Sequence, residues 1–160
     1  MSTLPLPADD TDRIMDVMEV AFDPAFGEAW TRKQVADALC VGNCRYGLLS
    51  QHGVTPDEGE AAEGFFLSRC VLDEAELLLL AVKPDMRRRG IGQKLLELFA
   101  NDSQEHGALR LFLEMREGNP AEELYLQFGF SPIGRRRQYY RGADGVRMDA
   151  ITFEKIIKPE

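Results

Sequence analysis

The feature that most restricts how this chain can fold is the run Leu77-Leu78-Leu79-Leu80-Ala81-Val82. Six successive apolar residues leave no polar face for water, so the segment has to be covered on both sides. It is far shorter than the roughly 20 residues that a membrane-spanning helix needs. Residues 76–82 are therefore expected to form a central strand. The next stretch is equally specific: a break at Lys83-Pro84-Asp85, then Arg87-Arg88-Arg89-Gly90-Ile91-Gly92. Ile91, Leu95, Leu98 and Phe99 then stand at helical spacing, up to a stop at Gly107.

Upstream, Ile14, Val17, Met18 and Ala21 share one face of a helix expected over residues 12–22. Thr31 and Gln34 have the spacing of a capping box that opens a second helix running to Leu39. The loop between them carries Phe26 and Trp30, two aromatics that read as plugs for the core. Residues 45–51 and 64–72 are strand-like, and the Gly- and Glu-rich stretch 52–63 is the loop between them. Residues 109–115 form the next expected strand, with Leu109, Leu111 and Leu113 on one face. Asn119, Pro120 and Glu122 have the pattern of a helix start, and Gly129 ends that helix. Residues 130–140 and 147–157 flank Ala143-Asp144-Gly145 as a terminal hairpin. At 160 residues, 44% of them hydrophobic, the chain is expected to be a single mixed α/β (α+β) domain over 1–160.

Charge and cysteine content narrow the partners. Lys and Arg number 19 against 27 Asp and Glu, a net charge of -8 that disfavours DNA and anionic membranes and suits a basic partner. Cys40, Cys44 and Cys70 lack metal-type spacing, and His52 and His106 fall in unrelated segments, so no metal site is expected. Residues 1–13 have no apolar core of leader-peptide type, and the expectation is a soluble protein of the reducing cytoplasm.

Three features carry chemistry. Arg87, Arg88, Arg89, Gly90, Ile91, Gly92 and Gln93 join a buried strand to a helix, where glycines admit close backbone approach and the helix start offers unpaired N–H groups. That is an anion cradle; the bland reading is a tight turn with solvated arginines. Gly92 is followed by Gln93, Lys94 and Leu95, which rules against a Walker loop. Glu114 is the one acid inside Leu111-Phe112-Leu113-Glu114-Met115, a place that favours a partly dehydrated proton acceptor, against the plainer reading of a solvated strand-end Glu beside Arg110 or Arg116. Tyr125 stands on the helix after Asn119 and, taken alone, reads as core with its hydroxyl at an edge. Arg135-Arg136-Arg137 with Tyr139 and Tyr140 could serve RNA binding, or be a solvated strand face.

Joined in order, the buried strand, R-x-x-G-x-G, helix, strand ending in Leu113-Glu114, Asn119-Pro120 and Leu124-Tyr125 with Gly129-Phe130 resemble the GCN5-related N-acetyltransferase (GNAT) superfamily over residues 77–130. Val71-Leu72-Asp73-Glu74-Ala75, Trp30-Thr31 and Arg136-Arg137-Gln138-Tyr139-Tyr140 further resemble the RimI type, the ribosomal-protein-alanine N-acetyltransferases. The resemblance implies a central mixed, mostly antiparallel sheet flanked by helices, whose two central strands splay so that acetyl-coenzyme A (acetyl-CoA) wedges between them. It implies that Leu80, Ala81 and Val82 meet the pantetheine arm, that Arg87 to Gln93 hold the pyrophosphate and that Asn119 touches the cofactor. Glu114 then matches the general base, Tyr125 the general acid, and Trp30, Tyr139 and Tyr140 fall where substrate contacts are expected. The implied acceptor is the α-amino group of a protein N-terminus, with a ribosomal protein as the leading candidate. A small-molecule amine, a non-catalytic CoA-binding module and a ribosome- or RNA-binding module stand as alternatives. Two departures from the family pattern are a spacing from Asn119 to Tyr125 one residue short and a longer first loop over residues 23–29.

Overall fold

The computed structural model describes residues 8–158; residues 1–7, part of the segment read for a leader peptide, lie outside the described residues. Ile14, Val17 and Met18 are buried on helix α1 (Ala8–Ala21), as their spacing requires. Helix α2 (Arg32–Cys40) is opened by the full capping box. Gln34 N–H donates to Thr31 Oγ1 at 3.2 Å, and Thr31 N–H donates to Gln34 Oε1 at 2.7 Å. The strands are β1 (Cys44–Leu49), β2 (Gly64–Val71), β3 (Glu74–Val82), β4 (Arg110–Arg116), β5 (Ser131–Arg141) and β6 (Arg147–Ile156). Helix α3 (Ile91–Glu105) connects β3 to β4, and α4 (Glu122–Phe128) connects β4 to β5.

All six strands lie in one sheet of order β1-β2-β3-β4-β6-β5. Only β3 and β4 are parallel; β1–β2, β2–β3, β4–β6 and β5–β6 are antiparallel. Parallel neighbours need a crossover, and α3 supplies it. Side chains from the two faces make two cores. One gathers Ala75, Leu77, Leu111, Leu113 and Met115 with Leu95, Leu96 and Phe99 of α3 and Tyr125 of α4. The other gathers Phe65, Leu67, Leu79 and Ala81 with Ile14, Val17 and Met18 of α1 and Val35 of α2. The Leu run is thus covered on both sides, and the expected mixed, mostly antiparallel sheet between helices is present.

Three local expectations need correction. Leu98 is exposed and Leu96 takes its place in the core, because the buried stripe of α3 follows Ile91, Leu95, Leu96 and Phe99. Leu109 is also exposed, since its N–H and that of Arg110 both turn to Asp73 O before β4 begins at Arg110. Helix α4 starts at Glu122, capped by Ala121, rather than at Pro120. Asn119 Oδ1 accepts from Ala121 N–H at 2.9 Å and makes a local turn ahead of the helix. Among the described residues no helix is long and apolar enough to cross a membrane.

The α3 correction sets a stability test. Phe99 is fully buried against Phe66, ring centroids 5.8 Å apart. Phe99→Ala should cost about 3–5 kcal/mol in urea unfolding, whereas Leu98→Ala should cost less than about 1 kcal/mol.

Candidate active site

The β3–β4 ladder is short. It pairs Glu74 with Arg110 through Leu77 with Leu113 and then stops, while β3 stays paired with β2 up to Val82 and β4 with β6 up to Arg116. The stop coincides with a bulge. Leu67 faces Leu79 and Ser68 faces Leu77, so Leu78 is an extra residue on β3. The bulge resets the strand's alternation: Leu78 and Leu79 both belong to the α1/α2 side, after which Leu80 and Val82 pack on the α3 side. Lys83 N–H donates to Glu63 O at 2.9 Å, which fixes the direction of every second peptide before it. Ala81 and Leu79 therefore point their backbone groups at β2, and Leu80 and Val82 point theirs into the gap beside β4. Of the three residues expected to offer backbone groups there, Ala81 is the one the ladder already uses.

One mouth of this gap is the start of α3. Gly90 caps the helix in the left-handed region (φ 80°) and Arg88 before it also has positive φ (63°). Lys94 N–H makes the first helical bond, to Gly90 O, and no side chain caps the N–H groups of the first turn, Ile91 to Gln93. Free donors at a helix dipole's positive end, flanked by the exposed Arg88 and Arg89, could hold an anion. Gly92 serves a different purpose. A Cβ there would stand 3.0 Å from Leu124 Cδ2, so its bareness lets α3 and α4 approach. Arg87 is not part of the cradle in this structure. Its guanidinium donates to Ala21 O at 2.7 Å and to Val82 O at 3.2 Å, tying the loop to α1 and β3.

The other side of the gap is acidic and aromatic. Leu113 and Met115 turn toward α3, so Glu114 and Arg116 project from the opposite face of β4. Glu114 Oε2 is 3.0 Å from Arg136 Nε and accepts from Thr152 Oγ1 at 3.4 Å. Arg116 is buried, pairs through Nε with Glu28 Oε1 at 3.3 Å, and lies over the Phe26 ring at 3.6 Å. Tyr125 is buried on α4, on the α3 side of the sheet, and its hydroxyl makes no hydrogen bond to the described residues. Burial first, then the charge of Glu28, holds its phenol well above the usual tyrosine range. Tyr140 is half-buried and pushed up to about 12 by burial, then by Glu114 and Glu28. Glu28 thus bears on both phenols, and Glu114 on Tyr140.

Sequence reasoning missed Glu28 and Arg116, which lie in the lengthened first loop and just past the expected base. Phe26 is no plug for the apolar core but a seat for Arg116. Trp30 does serve the core, packed beside α1 and α2, and Tyr139 is exposed, edge-on to Tyr140 at 5.4 Å with Arg136 stacked on it at 4.5 Å. Asn119 spends its side chain on the local turn.

The chain matches the family model of the acetyltransferase (GNAT) domain over residues 49–132. It is 42% identical over 99 residues to the [ribosomal protein bS18]-alanine N-acetyltransferase of Salmonella typhimurium, an alignment covering 61% of this chain and 65%, just under two thirds, of that relative. It resembles the crystal structure of the ribosomal-protein-S18-alanine N-acetyltransferase from Escherichia coli with a TM-score of 0.79 at 30% identity, covering 98% of this chain and 94% of that one. Arabidopsis thaliana NAA60 in complex with a bisubstrate analogue shares the fold at TM-score 0.79 and 19% identity, over 98% of both chains.

The cradle makes its own forecast. Gly90→Ala forces a side chain into the left-handed region, at roughly 1 kcal/mol of strain or more, and misaims the donors behind it. In calorimetric titration with coenzyme A it should weaken binding more than Arg89→Ala, which removes one exposed charge.

Proposed function

The chain belongs to the acetyltransferase (GNAT) family, and we propose that it transfers an acetyl group from acetyl-CoA to a primary amine, the α-amino group at the N-terminus of a protein. The observation that carries this reading is the gap beside Leu80 and Val82, with an anion cradle at one mouth and two carboxylates on the opposite face of the sheet. A donor bound from the α3 side and an amine arriving from the first-loop side can meet only there. By analogy with the Salmonella and E. coli relatives, the acceptor is the N-terminal alanine of a ribosomal protein, encountered in the cytoplasm. A net charge of -8 suits such a basic partner.

The residues fit acetyl-CoA: unpaired N–H groups at Ile91 to Gln93 with Arg88 and Arg89 suit its pyrophosphate, and the open edge of Leu80 and Val82 suits an amide-bearing arm. When bound, it supplies an activated acetyl thioester. Backbone N–H groups at that edge would then hold the carbonyl oxygen as negative charge develops. Glu114 accepts the proton that the amine sheds, through an Oε1 that has no partner among the described residues while Oε2 holds Arg136 and Thr152. Tyr125 keeps its own proton throughout the physiological range, because burial and Glu28 oppose its ionisation, and would be the residue to lend a proton on the leaving-thiol side and take one back from water afterwards. No cysteine is needed, so the amine attacks directly.

Chemistry favours an α-amine over lysine. With a reference pKa of about 8, roughly a tenth of it is neutral at pH 7, against about a thousandth for a lysine side chain. A modest carboxylate base is then sufficient.

Glu114→Gln should lower kcat about 10²–10⁴-fold with acetyl-CoA affinity near its original value; undiminished turnover would sink the assignment of the base. The pH profile carries a second test. Since the Tyr125 phenol is held up, its donor form persists through the ordinary tyrosine range near pH 10. Turnover on an Ala-starting peptide should rise as the amine deprotonates and then stay level to about pH 10; a fall from about pH 9 would contradict the role given to Tyr125.

A further inference from the structure

The hairpin at the edge of the sheet is charged against the rest of the molecule. Residues 131–147, which make β5, the turn and the first residue of β6, hold five arginines and one acid, a net +4 in a chain of −8. The acid is Asp144, whose Oδ1 accepts from Val146 N–H at 3.0 Å and closes the turn. Two of the arginines are already engaged, Arg135 by Glu117 and Asp149, and Arg136 by Glu114. Arg137, Arg141 and Arg147 are exposed and have no carboxylate partner among the described residues.

The fold gathers these three arginines. Strand β5 is the last of the sheet and is exposed along nearly its whole length. Between the Arg136–Ala150 and Tyr140–Met148 pairs, Arg137, Gln138 and Tyr139 stand against the single residue Asp149, a bulge in which Gln138 takes a φ of 54°. Arg147 Nη1 donates to Gln138 O at 3.3 Å, which brings its guanidinium to the bulge, next to the chain neighbours Arg137 and Tyr139. Past the bulge, Arg141 stands directly opposite Arg147 in the ladder. Like charges placed directly opposite are unfavourable in a sheet, and no carboxylate relieves this pair. Beside them Tyr139, 52% exposed, is held edge-on to Tyr140 at 5.4 Å, with Arg136 stacked on its ring at 4.5 Å. Cations without counter-charges around an aromatic ring held in water supply both parts of single-strand binding, phosphate neutralisation and base stacking.

We propose that the β5–β6 hairpin is a binding surface for single-stranded RNA, in which Arg137, Arg141 and Arg147 neutralise backbone phosphates and Tyr139 stacks on an unpaired base. The surface goes beyond the acetyltransferase reading and does not depend on it. RNA suits the hairpin better than other polyanions do. An acidic peptide would use the charges and leave the ring of Tyr139 idle, whereas unpaired bases stack on such a ring and RNA ordinarily presents them. A second copy of the chain would set arginine against arginine, and the bulge breaks the straight edge that strand pairing needs. The negative charge of the rest of the chain confines the strand to the hairpin. At physiological salt, charge is felt over only about 8 Å, so the local arginines attract a phosphate that the remaining surface repels.

The test is fluorescence anisotropy of a labelled twelve-uridine RNA titrated with the full chain, alone and saturated with coenzyme A, across about 50–200 mM KCl. The wild type should bind in the non-specific range, with Kd about 10⁻⁶–10⁻⁴ M, and equally well with coenzyme A present. Three phosphate contacts predict a slope of log K against log salt of about −2. The triple variant Arg137→Gln, Arg141→Gln, Arg147→Gln should lose about tenfold or more in affinity at the lowest salt, together with most of the slope. Arg141→Gln alone should reduce the slope by about 0.7, and Tyr139→Ala should weaken binding about tenfold with the slope unchanged. No binding by the wild type overturns the proposal, as does displacement of the RNA by coenzyme A or a triple variant that keeps the original affinity and slope. Tighter binding of a hexaglutamate peptide or of phosphatidylglycerol vesicles than of the RNA overturns it too. Acetyl transfer to a short Ala-starting peptide is assayed separately, and its absence, with RNA binding intact, would instead overturn the acetyltransferase reading.

Discussion

Strands β3 and β4 exchange hydrogen bonds only as far as Leu77 and Leu113, and each is held beyond that point by a different neighbour, β3 by β2 and β4 by β6. Backbone N–H and C=O groups left without partners inside a protein are costly, so a sheet does not open in its middle without a reason. Here the reason is local. The extra residue Leu78 makes a bulge, and bulges bend the strand that carries them. The Leu run makes the bulge tolerable, because shifting the alternation by one still puts an apolar side chain on each face. What remains is an edge in the middle of the molecule, where Leu80 and Val82 turn their backbone groups away from β2 and the Val82 carbonyl is met by Arg87.

The opening also organises charge. The α3 start carries unpaired donors and arginines on one side, while Glu114 and Arg116 project from the opposite face of β4, where Arg116 holds Glu28. Tyr125 belongs to the donor-side core yet feels Glu28 across the gap. On the proposed reading, an anionic, amide-rich donor and a cationic acceptor would approach from opposite faces of one sheet before they meet. Neither face alone would suffice for chemistry, since the thioester and the amine have to be brought within bonding distance with water excluded.

Much of this was legible in the sequence because the strongest signals were local. Six apolar residues in a row, a capping box at Thr31 and Gln34, and glycines at a strand-to-helix junction each specify their own geometry. Where the reading missed, the cause was a contact between segments distant in sequence. Leu98 has the right spacing for the core, yet the axis of α3 against the sheet selects Leu96. Asn119 has the right residue type for a cap, yet it is used by a turn that begins earlier. Arg87 looked like part of the anion site, but the C-terminal carbonyl of α1 claims it. Glu28 carried no signal of its own. Only the fold brings it, 88 residues away in the chain, to Arg116 and the neighbourhood of Tyr125 and Tyr140.

The central claim, that the open edge of β3 is the seat of the acetyl donor, can be read directly by residue-resolved amide hydrogen exchange with and without saturating acetyl-CoA. Ala81 N–H already donates to β2 and should be protected in both states. The amides of Leu80 and Val82 should exchange fast in the free protein and become strongly protected when the donor is bound. Exchange at Leu80 and Val82 that is indifferent to acetyl-CoA, under conditions where binding is independently measured, would contradict the account.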